Sequence, residues 1–172
     1  MIKPLVITLL IFCLLSRAEA QFDTSFIKFN IKRCADSLTD AFKARDWEKF
    51  TLYSYPALIG SMGGKKEFTE YISTTFSHIP DTCWKKYEPS SVLQVIRTDG
   101  DYQAVILLSS ILEFENTRYV TTTPLIAESW DGGYFWTFFD SQGDPMVTKI
   151  IKPDLAPAIV LPERKQIQEP IK

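Results

Sequence analysis

The chain has 172 residues and a formal net charge of −2, with 45% of its residues hydrophobic. That suits one domain with a single core and leaves no need for a second. Nor is there a surplus of Lys or Arg to meet a phosphate backbone, which argues against nucleic acid as a partner.

Residues 1–20 read as a secretory signal peptide. Lys3 supplies a positive start, residues 5–15 form an apolar run broken only by Thr8, and Ala18-Glu19-Ala20 sets small residues at the two positions a signal peptidase reads. An apolar run of roughly 11 residues falls short of the roughly 20 that cross a bilayer, which weighs against the alternatives, a membrane anchor or a buried helix. The expected product begins at Gln21, is periplasmic or secreted, and has no membrane partner after cleavage. Cys13 leaves with the leader. Cys34 and Cys83 remain, and two cysteines in an oxidising compartment suggest one disulfide. It would close a loop of roughly 50 residues and stabilise by about 4 kcal/mol on the chain-entropy model. The alternative is two buried thiols packed as small apolar groups. Two isolated Cys and one His have no metal-ligand spacing, so no metal and no cofactor is expected.

Beyond Asp23, a candidate cap, Ile27, Ile31, Cys34, Leu38 and Ala41/Phe42 recur at three- and four-residue steps. They predict an amphipathic helix over 24–44. Asp46 is a suitable N-cap for a short second helix carrying Phe50 and Tyr53, and Pro56 is expected to stop it. Ala57-Leu58-Ile59 reads as a short extended piece. Gly63-Gly64 turns into a third helix over 65–77, with Phe68, Ile72 and Phe76 on its buried face. After Trp84 the period becomes alternating. Strands are expected over 91–97, from Tyr102 through Phe114, over 118–130 and over 134–140, with turns at Asp99-Gly100, Asn116-Thr117 and Asp131-Gly132-Gly133. On the second strand Val105, Leu107 and Ile111 share the face of Gln103, Ser109 and Glu113, so both faces are partly covered. From about Pro153, four prolines among mixed charges read as an extended or disordered tail, with 158–161 a candidate to lie along the domain. The resulting division is a leader over 1–20, an α+β domain over 21–145 and a Pro-rich tail over 146–172.

Helices followed by a meander of long antiparallel strands resemble the NTF2-like (cystatin-like α+β) superfamily. The likeness is carried by Ala44-Arg45-Asp46-Trp47, by the aromatic tail of the second helix at Phe50, Tyr53 and Tyr55, and by Gly63-Gly64-Lys65. Tyr55-Pro56 followed by Gly63-Gly64-Lys65-Lys66-Glu67 resembles secreted members from Bacteroidetes-type bacteria. The resemblance implies a cone: three N-terminal helices packed on a curved antiparallel sheet, with a cavity at the open end. It also implies that Asp46 caps and Trp47 packs, and that dimers form through the outer sheet surface.

Enzymes of this fold need a base tuned by burial and an acid or oxyanion donor opposite it. In the isomerase members the base follows the second helix, where this chain has Ala57-Leu58-Ile59-Gly60-Ser61, with no carboxylate and no His. His78 reads as a solvated helix terminus. Glu113 and Glu115 read as the wet face of a hairpin, and Asp140 as a strand end rather than a cavity residue. No catalytic residue is assigned. The aromatic residues either fill the core or line a pocket for a small apolar ligand. Tyr53, Trp84, Tyr102, Phe114, Trp130 and Trp136 are the cavity candidates. Phe135 and Phe139 fall on the opposite face, exposed unless covered by a partner, a second copy or the folded-back tail, and are the interface candidates. The expected function is an exported, non-catalytic domain that binds a small apolar ligand or a protein partner and forms a homodimer through its sheet. The alternative is an isomerase, dehydratase or hydrolase using the cone cavity.

Overall fold

The computed structural model describes residues 24–171; the expected leader, cleavage site and Asp23 cap lie outside the described residues. The long helix α1 (Thr24–Lys43) buries the expected stripe of Ile27, Ile31, Cys34, Leu38 and Phe42. A tight turn at Arg45, in the left-handed region (φ 52°), leads to α2 (Trp47–Tyr53). Asp46 caps it, accepting a hydrogen bond from Lys49 N at 3.0 Å. Next come α3 (Pro56–Ser61) and α4 (Lys65–Phe76). The structure thus adds a fourth helix to the expected three. Pro56 does not lead into an extended piece. It occupies the first turn of α3, where its fixed φ suits a helix and its missing N–H is no loss.

The sheet has the order β1-β2-β3-β4, all pairs antiparallel: β1 (Trp84–Arg97), β2 (Tyr102–Phe114), β3 (Thr117–Ser129) and β4 (Thr137–Asp140). The fold is α+β, with N-terminal helices on a curved antiparallel sheet, as the sequence reads. β1 begins seven residues before the expected position 91, at Trp84. Register shifts between Trp84 and Lys86, Pro89 and Val92, and Val92 and Gln94 disrupt its alternation, so the period-2 signal is lost where the strand bends. β4 starts later than expected because Asp131 gathers the preceding loop. Its Oδ1 accepts hydrogen bonds from Ser129 Oγ, Tyr134 N and Phe135 N at 2.8, 3.1 and 3.0 Å. Gly133 (φ +90°) closes that loop over α1, where a Cβ would stand 2.2 Å from Ile27 Cδ1.

One face of the sheet wraps α1. Ala104, Ile106, Leu108, Leu125, Ala127, Trp136 and Phe138 pack against Ile27, Ile31, Cys34, Ala35 and Leu38. The other face is covered by the C-terminal stretch. After β4 the chain forms α5 (Pro145–Ile151), crosses the sheet, and ends in β5 (Lys165–Pro170), which pairs with β3 over Thr117 to Thr122. The stretch expected to be an extended or disordered tail is therefore folded onto the domain. Tyr55, Ile126 and Phe139 form one cluster with Leu58, Ile151, Leu155 and Leu161, and Val105 packs with Ala156 and Ile159. Of the three covers considered for Phe139, the structure supplies the folded-back tail. Phe139 is buried and presents no interface, whereas Phe135 stays exposed.

Cys34 and Cys83 are both free, which corrects the expected disulfide. Cys34 faces the core from the middle of α1. Cys83 precedes Trp84, which packs edge-on against Phe42 with ring centroids 5.1 Å apart. Phe42 lies two turns, about 12 Å, along α1 from Cys34, beyond the span a disulfide bridges. Burial pushes the Cys34 thiol up, which makes it a poor nucleophile. Protein purified from its own host and unfolded without reductant should alkylate at both Cys34 and Cys83. A Cys34–Cys83 cross-linked peptide in the digest would contradict this packing.

Candidate functional site

Two polar assemblies stand on opposite sides of the sheet. The first is a cleft of about 430 Å³ on the helix-bearing side of the sheet. Its floor is aromatic because three elements meet there. Phe42, at the end of α1, stacks on Tyr87 of β1 with centroids 4.1 Å apart, and Trp84 and Phe76 pack edge-on around it. Arg45 holds this junction: its guanidinium donates to Phe76 O at 2.9 Å and to Ile79 O, and pairs with Asp81. The Ala44-Arg45-Asp46-Trp47 motif is thus structural, with Trp47 stacked against Phe76 at 6.0 Å. Leu108, Leu112, Phe114 and Tyr119 complete the apolar wall.

The cleft rim is polar: Thr121, Thr123 and Asp140 come from β3 and β4, and Gln142, Arg164 and Gln166 from the C-terminal stretch. Asp140 is exposed, and its Oδ1 accepts from Thr123 Oγ1 at 2.9 Å and from Gln142 N at 2.6 Å. Burial, reinforced by the Asp140 carboxylate, raises the Tyr87 phenol and keeps it protonated.

Of the cavity candidates, the structure brings together Trp84 and Phe114 here. Trp136 is a core residue, fully buried, with Nε1 donating to Gly133 O at 3.0 Å. Tyr53 packs on the main core and against Phe135, and Tyr102 on the main core beneath Arg97. Trp130 lies on the far side of the sheet, 65% exposed. Phe76, Tyr87, Asp140 and Arg164 belong to the cleft and were not among the candidates. Phe76 reads as helix core, and nothing in the sequence places Arg164 near β4. His78 is exposed at the end of α4, and Glu113 pairs with Lys85 at 3.5 Å and Arg118 at 4.0 Å.

The second assembly lies on the outer face. Lys152, fully buried at the end of α5, bonds Glu128 of β3, Asp101 at 3.4 Å and Asp154 at 3.1 Å. The three carboxylates lie within 4.8 Å of one another, and the Lys152 ammonium bonds to all of them. They cannot all be ionised cheaply around one ammonium. Burial, then a proton shared with Asp101, pushes the Glu128 carboxyl up to about 7. Burial pushes Asp101 up as well, but hydrogen bonds from Glu128, Thr98 and Gln103 outweigh it and hold the carboxyl down at about 2. Burial alone would lower Lys152; its bonds to Glu128 and Asp154 outweigh that and raise it. Burial and the Glu128 charge push the neighbouring Tyr55 phenol up to about 12. Trp130 Nε1 donates to the second Glu128 oxygen at 2.9 Å. Both Glu128 oxygens are therefore engaged within the protein, and the cluster reads as a structural clamp. A cavity of about 500 Å³ adjoins it, walled by Trp130, Phe135, Pro56 and Ile59.

No family model, curated protein or solved structure matches this chain. The site's chemistry rests on its own residues.

Between pH 4.5 and about 7, Glu128 holds a proton in the folded state that the unfolded chain has released. Its contribution is therefore complete below the unfolded value of 4.5 and is lost as pH rises through about 7. Stability to urea should fall between pH 5 and pH 8, and Glu128→Gln, which has no proton to lose there, should flatten that fall. An unchanged slope in the variant would contradict the assignment.

Proposed function

We propose that this chain is an exported, non-catalytic domain of the NTF2-like superfamily that binds a small, largely apolar ligand in the concave cleft. The α+β layout, with α1 wrapped by a curved antiparallel meander, supports the superfamily reading. The observation that carries the binding reading is the cleft floor. Phe76, Trp84, Tyr87 and Phe114 border an open space of about 430 Å³. That volume falls within the roughly 300–1,000 Å³ usual for small-molecule sites, and apolar walls with a few polar groups are their usual lining. The chain's own C-terminal stretch occupies the outer sheet face, which favours a monomer over a dimer formed through that face.

One observation favours the second reading, an isomerase, dehydratase or hydrolase. Tyr87, kept protonated, lies near the exposed Asp140 carboxylate on the same cleft, so a proton donor and a base border one space.

Native mass spectrometry of the protein from its own host tests both readings. The binding reading expects a chain starting at Gln21, monomeric, carrying a retained small molecule that Trp84→Ala releases. Conversion of that molecule on prolonged incubation would establish the enzyme reading instead. Retention undiminished by Trp84→Ala would move the site elsewhere.

A further inference from the structure

We propose, resting on the cleft-binding reading above, that the cleft selects a small aromatic zwitterion: a molecule of the amino-acid class with an ammonium and a carboxylate on an aromatic body. Two opposite charges share one rim without pairing with each other. Among the described residues, Asp140 takes its hydrogen bonds on Oδ1, from Thr123 and Gln142, and no hydrogen bond or ion pair falls on Oδ2. Among the described residues, the Arg164 guanidinium makes one hydrogen bond, Nη2 donating to Gln166 Oε1 at 2.8 Å, and no carboxylate lies within ion-pair range. Each charge borders the cleft and keeps unused hydrogen-bonding capacity.

The backbone explains their shared location. The turn after Asp140 places Gln142 and Gly143 in the left-handed region, at φ 54° and 73°. Gly143 then lies directly against the returning chain, where a Cβ would stand 2.7 Å from Arg164 N. Only glycine permits that approach, and the approach seats Arg164 beside the strand end that carries Asp140.

The ligand's chemistry follows by charge balance. A simple anion would meet Arg164 but also the Asp140 carboxylate. A simple cation would meet Asp140 but also the Arg164 guanidinium. A neutral apolar molecule would cover the floor while leaving both charges to water. A zwitterion satisfies both at once, with its ring on Trp84, Phe76 and Phe114. A guanidinium also offers the planar fork that a carboxylate accepts in two bonds.

Calorimetric titration of the chain from Gln21 onward provides the test, with four probes that share a body. These are L-phenylalanine, its methyl ester (a cation), its N-acetyl derivative (an anion) and its neutral N-acetyl amide. Phenylalanine should bind tightest, and each singly charged analogue should be about tenfold weaker or more. Arg164→Gln should weaken phenylalanine and spare the ester. Asp140→Asn should weaken phenylalanine and spare the N-acetyl derivative. The probe series on the unaltered chain decides the matter even if a variant folds poorly. Equal or tighter binding of the neutral amide overturns the zwitterion while leaving an apolar cleft in place. Failure of all four probes overturns the zwitterion, and failure of an apolar dye to bind in a Trp84-dependent way overturns the cleft reading as well.

Discussion

A single buried ammonium organises the outer half of this molecule. Lys152 has no access to water, so its charge must be met by carboxylates in place. They come from three points far apart in sequence: Asp101 before β2, Glu128 late in β3, and Asp154 two residues after Lys152 itself. From that anchor the chain crosses the sheet strand by strand. Gln103 of β2 donates to Asp154 O at 3.2 Å and accepts from Ala156 N at 2.7 Å. Gln94 of β1 then accepts from Val160 N at 3.0 Å. These side chains satisfy the backbone of a stretch that has no regular structure of its own, which lets it lie buried on a sheet.

The consequences reach the other side. Once the strap is fixed, the chain returns past Gly143, delivers Arg164 to the cleft rim, and adds β5 to the free edge of β3. β5 pairs the part of β3 that β4 leaves open, so an edge that would template other strands is closed within the chain. The ligand cleft and the outer clamp are thus two results of one C-terminal path. The aromatic floor, by contrast, is set by the N-terminal half through Phe42, Phe76 and the Arg45 turn.

The legible part of the fold is the part governed by local period. The α1 stripe from Ile27 to Phe42 and the long β2–β3 hairpin follow from spacing alone, because each buries one continuous face. The bulged start of β1 escapes the same test because its alternation slips at three places. The clamp escapes it for a different reason. Gln103 and Glu128 stand directly opposite each other across β2 and β3, and polar side chains at such positions carry no sign of their own that they are buried. Their apolar companions Val105 and Ile126 give the only hint that this face is covered. The pairing of Lys152 with Glu128 has no sequence signature, since charge alone does not reveal which lysine is buried. Trp136 and Trp84 look alike in sequence, yet one fills the core and the other lines the cleft. What separates them is the Asp131 loop, whose carboxylate draws the backbone inward ahead of β4.

Amide hydrogen exchange in the Lys152→Met variant tests the clamp most directly, because it reads the strap and the core separately. Loss of the ammonium should leave Asp101 and Glu128 buried without their cation. Protection should then collapse at Ala156, Val160 and across β5, while the α1 amides facing the core keep theirs. Undiminished protection of the strap and β5 in that variant would contradict the account.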